Sequence, residues 1–232
     1  MEFLKKAETL ISNGKTEDAI KILDKHSRDH HEAAHLLFKI YSDESSGKFY
    51  DASKALNIIE LLNKEKHIPA KYDFGVMYFK GKLVDVDYIK AEQLFREVAN
   101  IKSEKDVKKY FNLITSACEY VGKIYENGLF DDVDKREALK YYKKACKNDR
   151  LLDSKYKVGK LIVEIYPDKF SLALPYLQEA SEKEHVKSMR LLSKIYIILT
   201  RSTLTKLKKI DSGSVDSEII LDKINKIDED IL

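Results

Sequence analysis

Apolar residues along this chain recur at helical spacing. Around Ala91 the sequence runs Ala91-Glu92-Gln93-Leu94-Phe95, with Val98 following; around Ala138 it runs Ala138-Leu139-Lys140-Tyr141-Tyr142, with Ala145 following. Offsets of four and seven put these residues on one face of a helix and the intervening charges on the other. The motif returns along the chain. Ala19, Ala55, Ala91, Ala138 and Ala173 each have a large apolar residue four places on: Leu23, Ile59, Phe95, Tyr142 and Leu177. Their intervals of 36, 36, 47 and 35 residues define a repeat.

A second register has the same period. Phe38, Gly75, Gly122, Gly159 and Ser193 are separated by 37, 47, 37 and 34 residues. Three residues after the marker stands a tyrosine in most copies: Tyr41, Tyr78, Tyr125 and Tyr196. Five residues before it the side chain is always small: Ala33, Ala70, Ala117, Ser154 or Ser188. Two registered helical faces per period predict a helix–turn–helix unit stacked side by side, with small residues letting helix axes approach. The 47-residue interval holds an insertion near 101–115. Its charged stretch, Lys102 to Lys109, is expected to extend a helix end and form a surface loop.

After Tyr196 the pattern stops. Residues 200–210 can continue a helix, and Asp211-Ser212-Gly213-Ser214 is a break. Beyond it, Ile220, Leu221, Ile224, Ile227 and Ile231 form a stripe that Asp216 or Ser217 can cap. The expected organisation is a repeat array over 1–210, then a break and a C-terminal capping helix over 211–232. The alternative for that last helix is an exposed partner-binding or coiled-coil segment.

Composition narrows the classes. Three prolines and eight glycines in 232 residues are too few for a sandwich or barrel that needs frequent turns. Lys and Arg number 42 against 39 Asp and Glu, with no dense basic run, so nucleic acid is not an expected partner. No apolar run approaches the ~20 residues of a membrane span. Met1-Glu2-Phe3-Leu4-Lys5-Lys6 contains no signal core. The expected location is cytoplasmic, with export of a trimmed or effector form left open.

Two segments carry a specific resemblance. Residues 69–99 read PAKYDFGVMYFKGKLVDVDYIKAEQLFREVA, and residues 117–146 read ACEYVGKIYENGLFDDVDKREALKYYKKAC. Both resemble Sel-1-like repeats, relatives of the tetratricopeptide repeat. Gly75, Tyr78, Gly81, Val84, Asp87, Ala91, Phe95 and Ala99 follow the family order in one copy; Gly122, Tyr125, Gly128, Asp134, Ala138, Tyr142 and Ala145 follow it in the next. Leu83 and Phe130 stand where the family often has a second glycine, and the 159–180 copy lacks the loop glycine and is two residues short. The resemblance extends over roughly 1–200. It implies an all-α, right-handed αα superhelical solenoid of about five repeats, with first helices lining the concave side. It also implies a non-catalytic adaptor or scaffold that binds a protein or peptide. A host-directed bacterial effector of the same family is another role it allows.

One catalytic reading competes. His31-Glu32-Ala33-Ala34-His35 has the spacing that, on a helix, aims two imidazoles at one zinc with the Glu as general base. A metal-dependent hydrolase using His31, Glu32 and His35 is therefore the rival function. The repeat register argues against it. His30, His67 and His185 each lie eight residues before a marker, so the turn ahead of the first helix favours histidine. No third ligand motif follows, and no glycine-rich phosphate loop or Ser/His/Asp arrangement can be placed. No catalytic residue, metal or cofactor is expected. Cys118 and Cys146 lie 28 residues apart in one copy. The resemblance to a cysteine-rich secreted branch of the family implies an intra-repeat disulfide between them; reduced thiols are the alternative in a cytosol.

The residues just after the markers suggest a surface. They are Lys39, Val76, Lys123, Lys160 and Lys194, with Lys71, Lys157 and Arg190 within a turn and Tyr72, Tyr120 and Tyr156 nearby. On stacked first helices these lysines would form a basic ladder suited to an acidic peptide or protein face. The plainer alternative is an exposed helical position that happens to hold lysine.

Overall fold

The computed structural model describes residues 1–210 together with Ile219, Ile220, Asp222 and Ile224. Among the described residues every regular element is helical. The chain divides into two units, Met1–Asn148 and Asp149–Leu232.

In the first unit the helices are α1 (Glu2–Ser12), α2 (Thr16–His26), α3 (His31–Ser42), α4 (Ala52–Lys64), α5 (Ile68–Lys80), α6 (Tyr88–Ala99), α7 (Glu104–Lys109), α8 (Phe111–Asn127) and α9 (Lys135–Ala145). They pair as α1/α2, α3/α4, α5/α6 and α8/α9, and each pair stacks on the next through α2 on α3, α4 on α5 and α6 on α8. The second unit comprises α10 (Leu152–Ile165), α11 (Leu174–Glu182) and α12 (Val186–Ile210), with α10 packed on α11 and α11 on α12. This is an all-α repeat solenoid arrangement, as the periodicity predicts.

The core follows the two registers. Ala19, Ala55, Ala91, Ala138 and Ala173 are fully buried, as are the apolar residues four places on, Leu23, Ile59, Phe95, Tyr142 and Leu177. Each of those larger side chains is worth about 1.5–3 kcal/mol of burial. Glycine markers set the distance between paired helices. A Cβ on Gly75 would lie 2.9 Å from the Phe95 ring, and one on Gly122 would lie 2.9 Å from the Tyr142 ring.

The turns inside the pairs are built alike in three copies. The second helix begins at an aspartate whose carboxylate caps it: Asp51 accepts from Lys54 N at 2.9 Å, Asp87 from Lys90 N at 2.9 Å, and Asp134 from Arg136 N at 3.0 Å and Glu137 N at 2.9 Å. Those backbone bonds hold the Asp51 and Asp87 carboxyls below the ordinary range. The aspartate's own N–H returns to the marker tyrosine, donating to the carbonyl of Tyr41, Tyr78 or Tyr125 at 2.9–3.0 Å. In the two most regular copies α5 and α8 end on Gly81 and Gly128, both left-handed. A side chain is strained in that conformation.

Two places depart from the sequence expectation. The insertion does not simply lengthen its neighbours: α7 is a separate short helix, capped by Ser103 through Asp106 N at 3.4 Å. In the 159–180 copy the missing loop glycine is replaced by a 3₁₀ segment, Pro167–Ala173, which carries the chain to Pro175 in the first turn of α11. The expected C-terminal capping helix over 211–232 lies, apart from Ile219, Ile220, Asp222 and Ile224, outside the described residues.

Candidate interaction surface

Because the marker faces the second helix, the next residue turns outward. Lys39 and Lys194 are exposed, and Lys123 and Lys160 are half-buried. Each unit thus shows two of these lysines to solvent. Two of the four already have carboxylate neighbours on their own helix: Lys123 Nζ lies 2.6 Å from Glu119, and Lys160 Nζ 3.6 Å from Glu164. Lys123 also lies over the Tyr120 ring, 5.3 Å from its centroid.

In the first unit Tyr72 and Tyr120 belong to helix packing. Their rings meet edge-on at 6.1 Å, Phe95 stacks on Tyr120 at 4.5 Å, and Phe79 closes the group against Tyr120 at 4.9 Å. Burial drives the phenol pKa of both tyrosines above the ordinary value. Lys71 is likewise drawn inward and pairs with Glu97 on α6.

The second unit repeats that pair. Lys155 follows Ser154 as Lys71 follows Ala70, and Glu179 lies six residues after Ala173 as Glu97 lies six after Ala91. Lys155 is 1% exposed and pairs with Glu179 and, at 3.2 Å, with Asp149. Burial alone would lower its pKa; the two carboxylates outweigh that and hold it above the ordinary range. Periodicity alone does not single out Lys155. The register match with Lys71 is the signal that finds it. A third predicted group does converge: Tyr156, Arg190 and Lys194 line one depression of ≈ 850 Å³ with Val186, Met189 and Leu191. Lys157, on α10, is half-buried.

The histidines have local structural roles. His67 caps α5, its Nδ1 accepting from Ala70 N at 3.4 Å, and His185 does the same ahead of α12, accepting from Ser188 N at 3.3 Å. His30, at the equivalent point of α3, makes no such cap and packs its ring 5.1 Å from Phe3. His31 Nε2 lies 2.5 Å from Glu65 and His35 Nε2 lies 2.7 Å from Asp73. The two imidazoles of the His-Glu-x-x-His run are thus spent on separate carboxylates, one at the C-cap of α4 and one on α5. Glu32 stands 3.8 Å from Lys109, its carboxyl pKa lowered by a backbone hydrogen bond. Among the described residues no three His, Cys, Asp or Glu side chains assemble to hold a metal.

Cys118 is buried on α8, and burial pushes its thiol up to about 11. Cys146 is the half-buried C-cap of α9. A further network went unmarked by spacing. The phenol of Tyr125 donates to Glu92 at 3.0 Å, and Arg96 reaches both groups. Burial, and then Glu92, push the Tyr125 phenol up to about 12. Among the described residues no helix is long and apolar enough to cross a membrane.

The family pattern described as the Sel1 repeat matches residues 68–100 and 115–149, the α5/α6 and α8/α9 pairs. A Sel1 repeat protein from Oxalobacter formigenes superposes with a TM-score of 0.60 at 18% identity, covering 77% of this chain and 49% of that one. The c5321 protein, a protective antigen of uropathogenic Escherichia coli with an SLR fold, superposes with a TM-score of 0.60 at 18% identity, covering 88% of this chain and 43% of that one. The chain spans about half the length of these two structures. No curated protein sequence matches it. The chain carries Sel1 repeats over the two matched segments, and its fold is the one those structures share. The Sel1 repeat fold is commonly a protein-interaction scaffold.

Proposed function

We propose that the chain is a non-catalytic adaptor that holds an acidic protein or peptide partner against the outward faces of its first helices. One observation carries the reading. Four of the five residues after the markers are lysines, and all four reach solvent. In four of the five copies the fold buries the marker, Phe38, Gly75, Gly122 or Gly159, while Ser193 is exposed. The partner contacts assigned to this surface are Lys39 and Lys123 in the first unit, and Lys160, Lys194, Arg190, Lys157 and Tyr156 in the second. Lys71, Tyr72 and Tyr120 support it from within, through the Glu97 pair and the α5–α8 ring cluster. The glutamates beside Lys123 and Lys160 temper the positive charge, which favours many weak contacts over one strong anchor.

Reversing Lys39, Lys123, Lys160 and Lys194 to Glu tests the reading. A partner captured by cross-linking in the native cell should bind the wild-type chain, weaken with added salt, and lose at least tenfold in affinity for the variant. Undiminished binding of the same partner by the variant would sink it.

A further inference from the structure

We propose that the hollow beside the 101–115 insertion binds a small amphipathic anion, a linear alkyl chain ending in a carboxylate. The insertion makes the hollow. Elsewhere in the first unit a second helix passes through a short histidine turn into the next first helix, as α4 does through His67 into α5. Between α6 and α8 the chain instead detours through α7. The detour leaves a depression of ≈ 610 Å³, bounded by the ends of α6 and α9 and the start of α8. That volume is within the roughly 300–1,000 Å³ of small-molecule sites. The depression lies wholly in the first unit. Its floor is apolar: Ile101, Val107, Phe111 and Ile114 line it, with buried Cys118 among them. Phe111 is 37% exposed although it opens α8 inside the repeat array.

The rim supplies the charge. Lys102, Lys144 and Lys147 line the same depression, and no acidic residue does. Lys144 is held in place by Asn100, whose Oδ1 accepts from its Nζ at 2.9 Å, and by the Tyr141 ring, whose centroid lies 4.8 Å from that Nζ. Among the described residues none of the three is paired with a carboxylate, whereas Lys123 and Lys160 are. Lys144 and Lys147 are also the charged groups nearest in effect to Cys118, which places both ammonium groups over the floor. Three cations around an apolar floor select an anionic head on an apolar tail.

Hydrogen bonding separates an alkyl chain from a peptide. The hydroxyl of Thr115, in the lining, already donates to the Phe111 carbonyl at 2.9 Å and accepts from Asn148 Nδ2 at 3.0 Å. Asn100 Oδ1 is engaged by Lys144. A peptide laid across this floor would bury N–H and C=O groups against side chains that offer them no partner, whereas an alkyl chain asks for none. None of the residues assigned to the partner surface lines the depression, so the two readings stand or fall separately.

Calorimetric titration of the full chain with submicellar dodecanoate tests it. Dodecanoate should bind one to one. Octanoate should bind at least tenfold more weakly, and so should dodecyltrimethylammonium, which keeps the tail but inverts the charge of the head. Lys102→Gln/Lys144→Gln/Lys147→Gln should lose at least tenfold in dodecanoate affinity. Cys118 reports where the ligand sits and needs no change in the rim. In a Cys146→Ser chain, saturating dodecanoate should slow alkylation of Cys118 by iodoacetamide at least fivefold. No saturable binding, equal affinity in the triple variant, or an unchanged alkylation rate at saturation overturns the proposal. So does a leucine tripeptide with a free carboxylate that binds more tightly than dodecanoate, because the hollow is then a peptide pocket.

Discussion

The imidazole of His67 caps α5 through Nδ1, and its Nε2 is buried without a hydrogen-bond partner. His35 and His31 flank it, with ring centroids 5.2 and 5.8 Å away, and Glu32 and Lys109 are the charged groups facing it. Burial first, and then the neighbouring His35, drive its pKa from 6.5 to about 4. The folded chain therefore refuses a proton that the unfolded chain accepts. Stability is unaffected by this group above about pH 6.5 and falls as pH drops from 6.5 toward 4, by about 3 kcal/mol across that window. His67→Asn keeps a side-chain acceptor for the Ala70 N–H but cannot titrate. Urea unfolding at pH 7 and pH 4.5 should show wild type losing about 2 kcal/mol more than the variant. Equal losses would mean that the imidazole is not held neutral. The turn histidine is legible in sequence, since it recurs eight residues before the marker; the cap is not, because His30 at the same offset makes none. Nor are the pairs His31–Glu65 and His35–Asp73 legible, because they depend on how far each side chain reaches across stacked helices, which a period does not specify.

At the scale of the element, the close approach of paired helices rests on the marker glycines. Phe95 is fully buried, and Tyr120 stacks on it at 4.5 Å. The ring has no room to retreat from a Cβ added at Gly75, which would stand 2.9 Å from its edge. Alanine gains about 1 kcal/mol of helix propensity over glycine, while overpacking costs roughly 1–3 kcal/mol. Gly75→Ala should therefore lower stability in urea, and adding Phe95→Leu should recover part of the loss by making space. A Gly75→Ala chain as stable as wild type would show that the contact relaxes freely. The pairing of helices, their order and their small-residue seams were all readable from the two registers. The aspartate caps lie in those registers as well, four residues before the core alanine. What spacing alone could not reveal was the 3₁₀ route from Pro167 to Ala173. The missing glycine shows that the usual left-handed turn is unavailable there but does not say which turn replaces it.

Across the first unit, the sequence of contacts is as linear as the sequence of repeats. α5 packs mainly on its pair mate α6, on α4 before it and on α8 after it. In such an array stability is a sum of repeat terms and nearest-neighbour interfaces, so a local injury should fade with distance along the stack. That form of the fold was legible, because periodicity states which unit follows which. The partner surface was legible only as positions. Glu119, Glu164 and Glu97, which set the charge of its lysines, stand one turn away or on another helix and enter only once the repeats are stacked. Linearity has a measurable consequence. In Gly75→Ala, native-state hydrogen exchange should quicken most in α5 and α6, less in α4 and α8, and by less than about twofold in α1. The gradient follows from the interfaces, since Phe95 touches both Gly75 and Tyr120, and α1 is reached only through α2, α3 and α4. A uniform acceleration from α1 to α9 would instead mean that the unit opens all at once. Its interfaces would then outweigh its repeats, and a partner bound at one first helix would stabilise every other.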